Sequence, residues 1–213
     1  MLRKRARPAS WNKATDPDQI ELREYLDDTA DLLRSAKTVD RACAMRLDVG
    51  LPEGRDLTDT ADLDNYAYPL AAHLLIEGLV SVWRTKRHAE VSRILLAPAQ
   101  ETTLPPTMFC VRTTASSQTT AYKEQVRSAV VGVAEIPAGP VRVELSFAVG
   151  PRWNWLNLWK PTIDALDPVL GRTRADRDWH PKDGRITDLA LHRTMDVTLG
   201  NDIVVSIAAG PAG

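Results

Sequence analysis

The sequence lacks most of the features that assign a protein quickly to a well-known class. Only two of its 213 residues are cysteine, and Cys43 and Cys110 do not have the spacing of a zinc site. With 27 basic and 28 acidic residues the net charge is −1, so overall charge gives no argument for nucleic-acid binding. There is no phosphate-binding glycine-rich loop and no Gly-x-Ser-x-Gly motif. These absences argue against a zinc ribbon, a P-loop NTPase and an α/β-hydrolase.

Long hydrophobic runs are also missing. The longest uncharged apolar stretch, Tyr66–Ile76, is far shorter than the roughly 20 residues that span a membrane. The basic start of the chain is not followed by the apolar segment of a secretory signal. We therefore predict a cytoplasmic protein that keeps its cysteines reduced and does not contact a membrane.

The residues that are present describe an ordinary globular chain, 44% hydrophobic and 26% charged, long enough for one large domain or two small ones. Each half follows the same predicted order of helix, strand, loop, helix and further strands. We predict an α/β (α+β) fold made of two tandem repeats, each a small sheet with flanking helices. The predicted boundaries are a basic disordered tail over residues 1–16 and repeats over residues 17–116 and 117–213. The alternative for the tail is an arm that binds phosphate.

The individual elements are predicted from hydrophobic periodicity and from the positions of proline and glycine. The stretch Val141–Val149 alternates strictly and gives the clearest strand, and Pro69 is expected to open a helix. The strands over 79–84 and 91–97 are predicted to pair with each other. The predicted helices cover 17–37, 69–77, 119–133 and 161–170, and the predicted strands cover 42–49, 79–84, 91–97, 107–113, 141–149, 186–191 and 203–208.

Two alignments of the halves support a repeat. A shift of 95 residues places residues 88–92 over 183–187 and residues 107–111 over 202–206. The identities are few, so the repeated order of elements carries more weight. A shift of 92 residues matches three residue types: Asn65, Pro69 and Leu74 with Asn157, Pro161 and Leu166.

The sharpest candidate site is Asp62-x-Asp64-Asn65. In an extended segment the carboxylates of Asp62 and Asp64 point to the same side. Two hard oxygen ligands on one side suit Mg²⁺. The same residue types are also common in turns and at helix N-caps, so a purely structural role stays open.

The corresponding loop of the second half carries cations and tryptophans instead of acids. Lys160 is suited to a phosphate, and Arg152 lies nearby in the sequence. Trp155 belongs to a group of tryptophans that invites base stacking, although tryptophan is more often a core residue. Asp183, at an Asp-Gly turn before a predicted strand, either completes a metal site or serves the turn alone.

Taken together, these residues resemble a motif of RusA-like Holliday-junction resolvases: Asp-x-Asp-Asn-x-x-Lys-x-x-x-Asp-Ala-Leu, then Asp-Asp some twenty-odd residues later, before a strand. The first half resembles the opening of this motif, as Asp62-x-Asp64-Asn65. The second half resembles the remainder, as Asn157-x-x-Lys160-x-x-x-Asp164-Ala165-Leu166, with Lys182-Asp183 at the late acidic pair. Each half departs from the motif elsewhere. Tyr68 and Arg87-His88 replace the lysine and the late pair of the first half, and Asn154 and Leu156 replace the leading acids of the second.

The resemblance implies small α/β subunits that form a homodimer and cut branched DNA with Mg²⁺ or Mn²⁺. Two copies in one chain would then pack as an internal pseudo-dimer, present as a monomer or as a homodimer. The implied metal ligands are Asp62, Asp64 and Asp183, with Lys160 added to the catalytic set. The implied nucleic-acid contacts are Arg152, Trp155, Lys160 and Lys182.

Three functional hypotheses follow. In the first, Asp62 and Asp64 meet Asp183 and Lys160 across the two halves, and one composite nuclease site remains where a homodimer has two. In the second, no such cluster forms and the chain is a former nuclease that binds DNA or a protein partner without cutting. In the third, the tryptophan loop is exposed and makes the chain a dimerising scaffold.

Overall fold

The computed structural model describes residues 1–34, 42–59, 62–101 and 109–213. The predicted end of the first helix at Lys37 and the predicted start of a strand at Thr107 lie outside these residues. The strands are β1 (Cys43–Leu51), β2 (Leu79–His88), β3 (Arg93–Pro98), β4 (Phe109–Thr113), β5 (Val141–Val149), β6 (Ile186–Met195) and β7 (Ile203–Pro211). The α-helices are α1 (Pro17–Leu32), α2 (Leu63–Leu74), α3 (Thr120–Ser128), α4 (Trp159–Asp164) and α5 (Asp167–Leu170), with 3₁₀ turns at Trp155–Leu158, Asp183–Arg185 and Val197–Leu199.

All seven strands form one mixed sheet in the order β3-β1-β2-β6-β5-β7-β4. The pairs β1–β2 and β5–β6 are parallel, and the other neighbouring pairs are antiparallel. The first half of the chain meets the second at two antiparallel pairings, β4 with β7 at one edge and, in the middle of the sheet, β2 with β6, where Trp83 lies opposite Ala190. We call the pairing of β2 with β6 the seam. The fold is therefore mixed α+β, as predicted at that level.

The core lies on one face of the sheet. In β5, residues 141, 143, 145, 147 and 149 are all fully buried, as their strict alternation predicts. These side chains join apolar residues of the helices, such as Leu22 of α1, Leu70 of α2 and Ile163 of α4, in one hydrophobic cluster. The intervening positions of β5 are more polar and less buried, which is typical of a sheet face that is not covered by helices.

The predicted pairing of the strands over 79–84 and 91–97 is wrong, because β1 lies between β2 and β3. The short connection after β2 crosses directly over the end of β1 at Gly50. A Cβ atom at Gly50 would lie 2.5 Å from the carbonyl oxygen of Val91 and 2.8 Å from that of Ala89. The crossing therefore requires glycine, and hydrophobic periodicity contains no sign of it.

Three other predictions about elements need correction. Helix α2 begins at Leu63, so Pro69 lies inside the helix and does not open it. The single helix predicted over 161–170 is divided into α4 and α5, with Pro168 in the first turn of α5. Residues 1–16, predicted as a disordered tail, pack against the rest of the chain through the buried side chains of Leu2 and Ala6.

None of the described helices is both long enough and apolar enough to cross a membrane.

Candidate metal centre

Three carboxylates from both halves of the chain converge beside the seam. Asp62 immediately precedes α2, Asp64 lies in the first turn of α2, and Asp183 opens the 3₁₀ turn before β6. One ligand oxygen from each of the three residues lies within 4.8 Å of the others. We call these three residues the acidic cluster. It unites the leading acids of the first half with the late acid of the second.

The acids converge for a reason that differs from the sequence argument. We expected an extended segment, but Asp64 is helical and Asp62 is the non-helical residue before the helix. Burial of Leu63 and Ala67 fixes the rotation of α2, because both side chains face the core. The Oδ2 atom of Asp62 accepts a hydrogen bond from Nδ2 of Asn65 at 3.2 Å, which holds this carboxylate over the start of the helix.

Lys160 provides a cation at the acidic cluster. Its Nζ atom lies 2.8 Å from Oδ2 of Asp183 and 3.8 Å from Oδ2 of Asp64. It also lies 3.1 Å from Oδ1 of Asp164, one turn further along α4. The lysine side chain is about half exposed, at 48%, while its ammonium group contacts three carboxylates. The structure thus brings together all four residues that the divided motif assigned to catalysis.

The environment makes the acidic cluster electrostatically costly. Burial raises the pKa of Asp64 to about 6, partly offset by Lys160 and reinforced by the charges of Asp183 and Asp62. Burial and then the charge of Asp183 raise the pKa of Asp62 as well. For Lys160, burial alone lowers the pKa, but the surrounding carboxylates outweigh it and the net shift is upward. A divalent cation at this position would relieve the repulsion among the carboxylates.

Two buried cations of β2, Lys86 and Arg84, belong to the same region and were missed by sequence reasoning. The Nζ atom of Lys86 donates a hydrogen bond to the carbonyl oxygen of Gly184 at 2.5 Å, which ties β2 to the turn that carries Asp183. Burial lowers the pKa of Lys86 to about 8, although Asp62 and Asp183 act in the opposite direction. The available signal was the alternation of β2, which places both residues on the same face as the apolar Val82.

Arg84 contacts the first residue of α2 and the ring of Trp159. Its guanidinium carbon lies 4.7 Å from the centre of the Trp159 ring, and Nη1 donates to the carbonyl oxygen of Leu63 at 3.4 Å. Burial lowers the pKa of Arg84 to about 9, against the opposing charge of Asp64. Arg84 thus contacts both the helix that carries Asp64 and the tryptophan next to Lys160.

A groove of about 600 Å³ opens beside the acidic cluster. Asp62 and Asp183 line it, and Lys182 lies on its wall with Nζ 3.6 Å from Oε1 of Glu135. Lys182 is therefore placed near the acids, as its assignment as a nucleic-acid contact required. The other lining residues are Thr58, Asp59, Ala138, Gly139, Thr173, Gly184 and Arg185.

The remaining two candidates do not join this region. Trp155 is only 4% exposed and packs edge-on against Trp159, with ring centres 5.1 Å apart, and against Phe147 at 6.4 Å. A buried indole offers no face to a nucleobase, so the core role is the one observed. Arg152 is exposed in the turn after β5, and the groove beside the acids is lined by other residues.

The donor set of the acidic cluster defines what it can bind. Three carboxylates offer hard oxygen ligands, which suit Mg²⁺, Mn²⁺ and Ca²⁺ alike and do not select one of them. Lys160 adds a positive charge that a phosphate oxygen can reach. The arrangement is suited to holding a divalent cation against a phosphate group.

Comparison of the chain with protein-family models, with curated proteins and with solved structures finds no match in any of the three.

Proposed function

We propose that the protein is a divergent RusA-like endonuclease that uses Mg²⁺ or Mn²⁺ to hydrolyse phosphodiester bonds in branched DNA. The observation that carries the proposal is the acidic cluster, in which Asp62 and Asp64 meet Asp183 with Lys160 beside them. The two parts of the divided motif lie together in space, which supports the proposal.

The strand order supports an origin by duplication, with the two halves packed as a pseudo-dimer. From the seam outward, one side reads β2-β1-β3 and the other β6-β5-β7. Each side contains one parallel and one antiparallel pair. The parallel pairs share a register shift at their first residue, between Cys43 and Ala44 and between Val141 and Arg142. Only β4, at the far edge, has no counterpart among the described strands.

This arrangement changes the alignment of the halves. Leu79 and Ile186 both pair with the first residue of the adjacent parallel strand, so β2 and β6 correspond with an offset of 107 residues. The same offset places Asp183 over Ile76, just before β2, and not over His88. The 95-residue shift also equated β4 with β7, yet these strands are hydrogen-bonded neighbours. The first half has thus lost its late acid together with most of the loop that carries it in the second half.

The chemistry follows from the positions of the residues. Asp62, Asp64 and Asp183 would hold a divalent cation, which would supply an activated water and neutralise charge on the phosphate. Lys160 is positioned to contact the same phosphate, because its side chain is 48% exposed and its ammonium group is already oriented by Asp183. Lys86 and Arg84 fix the two segments that carry the acids through backbone carbonyls, so the cluster is held before substrate arrives.

The direct test is cleavage of a labelled four-way junction and of a fork by the purified protein with Mn²⁺, Mg²⁺ or EDTA. We expect cleavage with either metal, none with EDTA, and loss of at least a hundredfold in rate for Asp64→Asn. Asp202→Asn is the matched control, because Asp202 pairs with Arg112 at the β4 edge of the sheet. If the wild-type protein cuts neither substrate with Mn²⁺, the nuclease proposal is wrong.

One observation favours a second candidate, a pseudo-nuclease that binds DNA or a protein without cutting. The Nζ atom of Lys160 already pairs with Asp183 at 2.8 Å and lies 3.8 Å from Asp64, in the position of a metal ion. If Lys160 has replaced the metal ion, we expect the wild-type protein to bind no Mn²⁺ and to cleave no DNA. Calorimetric titration with Mn²⁺ separates the two candidates, since the nuclease must bind the ion. The scaffold hypothesis loses its basis, because Trp155 is buried.

A further inference from the structure

We infer that the N-terminal residues 1–10, which we call the arm, form a wall of a DNA-binding groove next to the acidic cluster, with Arg5 and Arg55 as phosphate contacts. The inference rests on the proposed function for its substrate class, a polynucleotide. It assigns to the arm a role in holding the backbone on one side of the cut phosphate.

The arm is attached to the helix that carries the acids. Pro69 has no backbone N–H, so the carbonyl oxygen of Asn65, four residues earlier, receives no hydrogen bond from it. That oxygen instead accepts a hydrogen bond of 2.7 Å from the backbone N–H of Ala9. The proline inside α2 therefore creates the acceptor that the arm uses. The side chain of Asn65 donates a hydrogen bond to Asp62, and Asn65 directly follows Asp64. The end of the arm is therefore bonded to a residue that adjoins the acidic cluster.

Three ion pairs join the arm to α1. Arg7 pairs with Glu21, Lys4 with Glu24 at 2.5 Å, and Arg3 with Asp28 at 3.8 Å. The three acids follow one ridge of α1, and the arm runs antiparallel to it. Leu2 and Ala6 are buried beneath, and the N–H of Leu2 donates to the carbonyl oxygen of Ser92 at 3.1 Å.

These contacts account for every basic residue of the arm except one. Arg5 is exposed and makes no ion pair with any residue in the described part of the chain. It lines a groove of about 690 Å³ between the arm, the end of β1 and the turn after β2. An exposed arginine on a fixed backbone, with its neighbours engaged elsewhere, is suited to a phosphate.

The loop over residues 52–59 connects the groove beside the arm with the groove beside the acidic cluster. Its residues 52 and 53 line the first groove, and its residues 58 and 59 line the second. Arg55 lies between these two pairs and is exposed. Its carbonyl oxygen lies 2.8 Å from Nε2 of His88, which lines the groove beside the arm.

A polynucleotide fits this arrangement better than an acidic protein. Successive phosphates on one strand would place one at the acidic cluster and others along the adjoining wall, where the guanidinium groups lie. Glu53 and Glu90 also line the groove, which limits the affinity for any polyanion and makes it depend strongly on salt.

The test measures binding of a fluorescent forked DNA by the full chain in Ca²⁺ over a series of salt concentrations. We expect the dissociation constant of Arg5→Ala to rise roughly three- to tenfold, and the slope of log K against log salt to fall by about 0.7–0.9. The double variant Arg5→Ala/Arg55→Ala should lose about twice that slope. Arg34→Ala is the control, because Arg34 is exposed just after α1 and pairs with Asp31.

Each outcome has a defined meaning. Unchanged affinity and slope in Arg5→Ala, with unchanged thermal unfolding, would overturn the arm's role. Absence of wild-type DNA binding would overturn it as well. Displacement of the DNA by polyglutamate at equal charge concentration would reassign the groove to an acidic protein. Binding that depends on Arg5 without any metal-dependent cleavage would instead reject the nuclease and keep the arm.

Discussion

The ammonium nitrogen of Lys160 lies 2.8 Å from a carboxylate oxygen of Asp183, although the two residues belong to different elements. Lys160 comes from α4 and Asp183 from the turn before β6, and Asp64 of the other half lies 3.8 Å from the same nitrogen. One cation thus bridges the two halves of the chain at the place where a metal ion would bind.

Removing that cation separates two roles of Lys160. If Lys160 contacts the phosphate, Lys160→Met lowers the cleavage rate by roughly ten- to a thousandfold and leaves Mn²⁺ affinity similar or higher. If Lys160 replaces the metal, the wild-type protein binds no Mn²⁺ and Lys160→Met gains binding. Calorimetry and cleavage assays on the same preparations decide between them, with Lys123→Met, which removes the other lysine at Asp164, as the control.

The raised pKa of Asp64 predicts a pH-dependent stability. The pKa of Asp64 is about 6 in the folded protein, against 3.8 for an unperturbed aspartate carboxyl group. The stabilisation by the proton on Asp64 is complete below pH 3.8 and is lost as the pH rises through 6. Asp64→Asn should therefore raise the free energy of unfolding by about 1–3 kcal/mol at pH 7.5 and have little effect at pH 4. Urea unfolding at both pH values measures this, and equal effects at both would contradict it.

The crossing over β1 predicts that Gly50 cannot be replaced. In Gly50→Ala the new methyl group would clash with two backbone carbonyls of the connection after β2, so either β1 or this connection must shift. We expect a loss of about 1–3 kcal/mol in the free energy of unfolding. Gly54→Ala is the matched control, since no atom lies within 4 Å of its added Cβ. A thermal shift equal in the two variants would argue against the observed strand order.

The burial of Trp155 predicts a stability defect and no direct effect on DNA binding. Trp155→Ala should destabilise the fold by about 3–5 kcal/mol through the cavity left beside Trp159 and Phe147. Trp11→Ala, at a residue that is 88% exposed, should be close to neutral. Binding measured well below the unfolding temperature should match the wild type, and a specific loss of DNA affinity would restore the stacking hypothesis.

A single acidic cluster predicts one incision per chain. Under the proposed 107-residue offset Arg193 is matched with Lys86, and Arg193 pairs with Glu101 at 3.7 Å. Among the described residues only one group of three potential metal ligands occurs. If the nuclease proposal holds, a supercoiled plasmid with a cruciform should give nicked circles first. Linear product without a nicked intermediate would show that two sites act together.

The sequence predicted the composition of the acidic cluster better than its geometry. Asp62, Asp64, Asp183 and Lys160 do lie together, but the two leading acids sit at the start of a helix and not on a strand. Strand β5 was predicted residue for residue, because its alternation records burial on one face.

Other features were not predictable, because they depend on contacts between distant segments. The order of β1, β2 and β3 is set by a crossing that one glycine permits. The ordered arm depends on a carbonyl group left free by Pro69 and on a ridge of acids in α1. The alternation of β2 places Arg84 and Lys86 on one face with Val82, but only the complete sheet shows that this face is buried.

The pairing of Trp83 with Ala190 has a further consequence. In the register of the seam, either strand paired with its own copy would bring two indoles or two methyl groups face to face, the first crowded and the second loose. An indole against a methyl group fits only when unlike strands meet. The seam therefore favours pairing of unlike strands and disfavours pairing of β2 or β6 with its own copy from a second molecule.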